Sequence, residues 1–208
     1  INKNLKPEYE DIELKETLFL TLIYYNIVEA LDYYFDNYNI DEEINKAVEI
    51  CIERDNLKSF KFLLNECYKL NSKYIRNDEK LLDLIVNQNG IQILDYLFKN
   101  GLDIHSDRDY SLINASENGH LEVVKYLVEN CKDINAQINK ALREASKNKH
   151  LEVLKYLIEN GADIQAVDND ALRRASFYGH LKVVKFLIEN GANIHARDDE
   201  ALIYASRN

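Results

Sequence analysis

His120, His150 and His180 stand thirty residues apart, and these ring nitrogens are the first side chains that could do chemistry. Histidine binds metals and carries protons near neutral pH. Zinc, however, needs its ligands converging at about 2 Å. Side chains one helical layer apart are separated by roughly 8–10 Å, so these three cannot share an ion. His105 and His195 lie in the turns DIH and NIH and are expected to be solvated. Cys51, Cys67 and Cys131 form an odd, scattered set without CxxC, which reads as reduced, buried thiols. Acidic side chains such as Glu122, Glu152 and Glu159 fall on solvated helix faces. There is no GxSxG, phosphate-binding glycine loop or HExxH. We expect no enzyme, no metal and no cofactor.

The charge balance narrows the partners. A net charge of −10 argues against nucleic acid, which requires clustered cations. The total hides a contrast: residues 139–190 carry nine Lys/Arg against seven Asp/Glu, whereas the remainder carries seventeen against twenty-nine. A locally basic stretch inside an acidic body points to a protein partner with an acidic or mixed acidic and apolar segment. No run of about 18 apolar residues could span a membrane, and no signal or transit pattern opens the chain. The chain lacks methionine and starts at Ile1, from which we expect a piece of a longer product.

The elements that carry these residues are short helices in pairs. Apolar residues recur at spacings of three and four along 15–26, 42–55, 57–70, 79–89, 91–101 and onward. The first apolar residue of each second helix is Ile27, Leu57, Ile91, Leu121, Leu151 and Leu181, spaced 30, 34, 30, 30 and 30. A fixed period of this size is the mark of a solenoid. We expect an all-α array: a polar lead-in at 1–14, then one solenoid over 15–208. Its units are about 15–38, 42–70, 79–101, 109–131, 139–161 and 169–191, with a half unit at 199–208. The long step should sit in a loop around 71–78, with no domain boundary. Leu142, Ala145 and Ser146, like Leu172, Ala175 and Ser176, should form a buried face whose small residues let neighbours approach. Leu151, Leu154, Leu157 and Ile158 should form the buried stripe of a second helix. Gly101, Gly161 and Gly191 should end second helices in the left-handed conformation, with Cys131 strained in their place.

The wording of the repeat carries a resemblance. GHLKVVKFLIENGANI at 179–194 resembles the ankyrin repeat almost letter for letter, and the likeness is strong over 90–208. It implies stacked helix-turn-helix pairs. Two departures are plain: the period is 30 rather than about 33, and the Thr-Pro-Leu-His turn is missing. The hairpin fingers should therefore be shortened. Asp109, Asn139, Asn169 and Asp199 are expected to cap the first helices. This spelling, rich in Asn, Ile, Lys and Tyr, resembles the shortened ankyrin repeats of giant amoebal DNA virus proteins, which implies an intracellular site, the host cytoplasm if viral. The resemblance also implies that His120, His150 and His180 tie adjacent loops by hydrogen bonds.

Resemblance to ankyrin binders places contacts on the first helices. Here those positions are Ile113, Asn114, Glu117 and Asn118, then Arg143, Glu144, Lys147 and Asn148, then Arg173, Arg174, Phe177 and Tyr178. Arg143, Glu144, Lys147, Arg173, Arg174, Phe177 and Tyr178 are the candidate partner-binding residues, because Arg and aromatics dominate interface energetics. The competing expectation is that Phe177 packs on a neighbour and the arginines pair with Asp170 or Glu144. Tyr24–Tyr25 and Tyr33–Tyr34 read as packing in a degenerate first unit. The resemblance implies a protein-protein interaction scaffold or adaptor that is monomeric. Alternatives are a structural, self-associating component of a virion, or a substrate-recruiting arm of a ubiquitin ligase. Leu202 and Ala205 repeat the face of Leu172 and Ala175 with no second helix to cover them, so we expect the natural chain to continue.

Overall fold

Each first helix that is followed by a second ends on one left-handed residue, and the next helix starts almost at once. In the computed structural model, which describes residues 12–31, 44–69, 78–100, 110–130 and 135–207, this link occurs six times. The left-handed residues are Asn26, Asp55, Asn89, Gly119, Lys149 and Gly179. The amide that follows each donates to a carbonyl five residues back: Ile27 to Leu22, Asn56 to Cys51, Gly90 to Ile85, His120 to Ala115, His150 to Ala145 and His180 to Ala175, all at 2.7–2.9 Å. That is the helix-ending motif in which a left-handed residue satisfies the last carbonyls. Asn and Asp tolerate it; Lys149 does so at a cost of roughly 1–2 kcal/mol.

The described residues divide into two compact units between Asn77 and Asp78, within the long step of the register. The first contains α1 (Ile12–Tyr24), α2 (Ile44–Glu53) and α3 (Leu57–Lys69), and residues 28–31 open a further helix. Asn56 Nδ2 donates to Ile23 O at 2.9 Å, and Ser59 Oγ to Asn26 Oδ1 at 2.8 Å, joining one link to the next. The second unit stacks α4 (Asp78–Asn87), α5 (Ile91–Lys99), α6 (Ser111–Asn118), α7 (Leu121–Asn130), α8 (Asn135–Lys147), α9 (Leu151–Glu159), α10 (Ala166–Phe177), α11 (Leu181–Glu189) and α12 (Ala196–Ala205). No strand occurs among the described residues. Tyr33, Tyr34, Gly101, Asp109 and Cys131 lie outside them.

First helices pack on first helices through the expected small faces. Leu142, Ala145 and Ser146 are buried, as are Leu172, Ala175 and Ser176 and, one unit earlier, Leu112, Ala115 and Ser116. Ser146 satisfies its hydroxyl on Leu142 O at 2.8 Å. The second-helix stripe is corrected. Val153, Leu154 and Leu157 are buried, whereas Leu151 and Ile158 are half-buried and Leu181 is 63% exposed. At about 100° per residue, Leu151 and Ile158 stand 100° or more round the helix from Leu157. They flank the core rather than fill it. Gly161 and Gly191 end their helices at φ 96° and 97°, as expected.

The stretch before each later first helix is unlike a hairpin. Val167, Asp168 and Asn169 are all left-handed (φ 53°, 56° and 60°), as are Arg197, Asp198 and Asp199. This three-residue left-handed turn replaces the finger. At Asn169 and Asp199 it also overturns the capping expectation, because an N-cap needs an extended backbone and these two residues are left-handed. Instead Asn139 Oδ1 accepts the Asp163 amide and Asn169 Oδ1 the Asn193 amide, each at 2.7 Å. These side chains clip one loop to the next. Asp199 Oδ1 pairs with His195 Nδ1 at 2.6 Å.

Candidate interaction surface

The histidines hold the stack together. His120, His150 and His180 place Nε2 2.8 Å from the carbonyls of Asn87, Glu117 and Lys147, one unit back. A carbonyl only accepts, so Nε2 carries the proton in each. Among the described residues no group of three or more His, Cys, Asp or Glu is arranged to hold a metal ion. No described helix is long and apolar enough to cross a membrane.

These ties fix the register between first helices, and across that register runs a ladder of charges. Glu117 on α6 meets Lys147 on α8 at 3.4 Å, and Lys147 meets Glu144 at 3.2 Å. Glu144 then faces Arg174 on α10 at 3.5 Å, and Arg174 Nε donates to Asp170 at 2.8 Å. Asp170 accepts Arg173 at 2.7 Å and lies 3.7 Å from Arg143. Arg173 reaches Glu200 on α12 at 2.7 Å, and Tyr204 donates to Glu200 at 2.6 Å. Asp170 is thus the hub for three guanidinium groups. The Tyr204 hydroxyl, followed by Arg173, holds the Glu200 carboxyl below the usual range. Glu144 raises Lys147. Burial works against the charge of Arg174, but Asp170 and Glu144 outweigh it and raise the group.

The seven candidates therefore play different parts. Arg173 is nine-tenths buried, held also by the carbonyls of Asp168 and Val167, and is the least accessible. Arg143, Glu144 and Lys147 are partly buried rungs, with side chains 22%, 17% and 29% exposed. Phe177 and Tyr178 are 54% and 48% exposed. Their rings meet edge to face at 5.0 Å, and Phe177 also meets Tyr204 at 5.1 Å. With Asp170, Arg173 and Arg174 these rings line an open pocket of about 200 Å³. Arg174 engages Asp170 through Nε and Glu144 through Nη1, and its side chain remains 35% exposed. Reading the sequence missed Glu200 and Tyr204 as members of this site. Tyr204 stands thirty residues after Arg174, so extending the register by one unit could have found it.

Such short helix pairs, each too small to bury both faces alone, define a helical repeat array that displays one face of its first helices. Comparison with known families gives the particular kind. Two family models match, one described as ankyrin repeats (3 copies) over residues 82–168 and one described as ankyrin repeats (many copies) over residues 172–208. Together they take up more than half of the chain, and the chain belongs to the ankyrin-repeat family. Both matches lie within the second unit. No curated protein matches the chain. Ankyrin repeats generally mediate protein-protein interaction.

Proposed function

We propose that this chain is a protein-interaction scaffold whose second unit grips a partner protein on the first-helix face of α8, α10 and α12. The observation that carries this reading is the exposed Phe177–Tyr178 pair beside Arg174, mounted on an ion-paired ladder. Large aromatics left in water on a rigid surface lose little entropy on binding. Arg143, Glu144, Lys147 and Arg173 position that surface, and Arg174, Phe177 and Tyr178 touch the partner. On this first-helix face Arg143, Lys147 and Arg173 are ion-paired and largely covered, so an anion is drawn mainly to Arg174. The partner segment combines a carboxylate for Arg174 with an apolar side chain for the rings. The 30-residue period and its spelling support a viral origin, with action inside a host cell.

Selection of random peptides on the chain tests this. Acidic–apolar sequences should be enriched, and Arg174→Glu with Phe177→Ala should weaken them by at least tenfold with helicity unchanged. Enrichment of basic sequences, or unchanged affinity in the variant, would sink the reading. A self-associating structural role gains support from Leu202 and Ile203, 43% and 44% exposed on α12. Sedimentation separates the two: a scaffold stays monomeric, and an assembly component grows with concentration.

A further inference from the structure

The first unit carries an aromatic pair of its own. At the end of α1 the amides of Tyr25, Asn26 and Ile27 donate to the carbonyls of Thr21, Ile23 and Leu22 at 3.0, 3.0 and 2.9 Å. At the end of α10 Tyr178, Gly179 and His180 donate to Arg174, Ser176 and Ala175 at 3.0, 3.1 and 2.8 Å. Asn26 and Gly179 are both left-handed, at φ 60° and 69°. Tyr24–Tyr25 and Phe177–Tyr178 therefore occupy the same structural register. Their rings also match: centroids are 5.0 Å apart in both, with planes at 77° and 79°. Tyr24 is 44% exposed and Tyr25 67%.

Each pair has a cation, supplied differently. In the second unit it is Arg174, one turn before Tyr178. Thr21 stands at that place in the first unit, and the neighbouring helix provides the charge: Arg54 Cζ lies 3.7 Å from the Tyr24 ring centroid. A guanidinium stacked on a ring presents its N–H groups outward in its own plane, the geometry that receives a carboxylate. Arg54 forms no ion pair among the described residues. Arg54 thus sits on the ring of Tyr24, which in turn meets the exposed Tyr25.

We propose that Tyr24, Tyr25 and Arg54 form a second contact site, which takes a carboxylate side chain flanked by a large apolar one in a partner protein. The ligand class rests on the reading of the Arg174 site above. The overall charge of −10 does not forbid it. At physiological salt, exposed charges beyond about 8 Å are screened, so the cation in contact decides. Exposed Glu53, next to Arg54, opposes the ligand, and Glu53→Gln should tighten this site about twofold or more.

The test uses a twelve-residue acetylated peptide of alternating Glu and Leu with one Trp. The chain has no tryptophan, so the peptide fluoresces without background. Two peptides should bind per wild-type chain. Tyr25→Ala with Arg54→Ala should remove one, and Phe177→Ala with Arg174→Ala the other, with circular dichroism unchanged. One peptide per wild-type chain, lost only with the Phe177 and Arg174 changes, overturns the first-unit site and leaves the proposed function standing. Loss with the Tyr25 and Arg54 changes alone keeps this site and overturns the other. Equal binding of a peptide with Lys for Glu overturns the ligand chemistry at both.

Discussion

A methyl group added at Gly119 would meet the His150 ring, 2.6 Å from Cε1, and would sit on a backbone at φ 76°. Gly119→Ala combines left-handed strain of about 1 kcal/mol with displacement of the ring that ties Glu117. We expect a loss of roughly 2–3 kcal/mol in urea denaturation. Lys149 holds the same place in the next unit at φ 66°. There Lys149→Gly should raise stability by about 0.5–1 kcal/mol, because it removes strain without removing a contact. Opposite signs at one register position would show that the conformation matters more than the residue. Cys51 gives a second residue-scale expectation. Burial pushes its thiol up to about 12, so it should resist iodoacetamide at pH 8 in the folded chain and react in urea, as read by mass spectrometry of its peptide.

Between helices the charge ladder should make stability fall on both sides of neutral pH. Glu200 titrates below its ordinary 4.5. Its contribution is therefore present above that value and lost as pH falls through the lower folded one. Lys147 and Tyr204 are raised above 10.5 and 10.0. Their contributions are whole below those values and vanish as pH rises through the folded ones. Urea midpoints across pH should show both limbs. Glu200→Gln should flatten the acid limb and remove the Tyr204 part of the alkaline one. Identical pH profiles in variant and wild type would mean the ladder arranges the surface without stabilising it.

Across the second unit, burial is uneven. Leu172 on α10 is 1% exposed, whereas Leu202, thirty residues on, is 43% exposed and only Ala201 of α12 counts as core. In a stack where each layer is stabilised by its neighbours, a layer covered on one side opens more readily. Hydrogen exchange should therefore be faster at 200–206 than at 170–176 by an order of magnitude or more. Equal protection in the two stretches would show that α12 is a closed cap.

The sequence by itself determined the helix pairs, their period, the glycine ends at Gly161 and Gly191, and the small buried face of Ala145 and Ser146. All of these depend on neighbours within a few residues, and a repeated local pattern states them several times over. The histidine ties were legible only through the family resemblance. Tertiary structure decided the rest. Whether Leu151 or Val153 fills the core depends on how the helix is rotated against its neighbours. Asn169 looks like a helix cap until three left-handed residues turn its side chain to the Asn193 amide, 24 residues away. Four cations that read as a basic patch proved to be paired with Glu117, Glu144, Asp170 and Glu200. Most of those pairs cross from one helix to the next. The periodicity of a sequence sets the spacing of such side chains, but only packing brings their charges together.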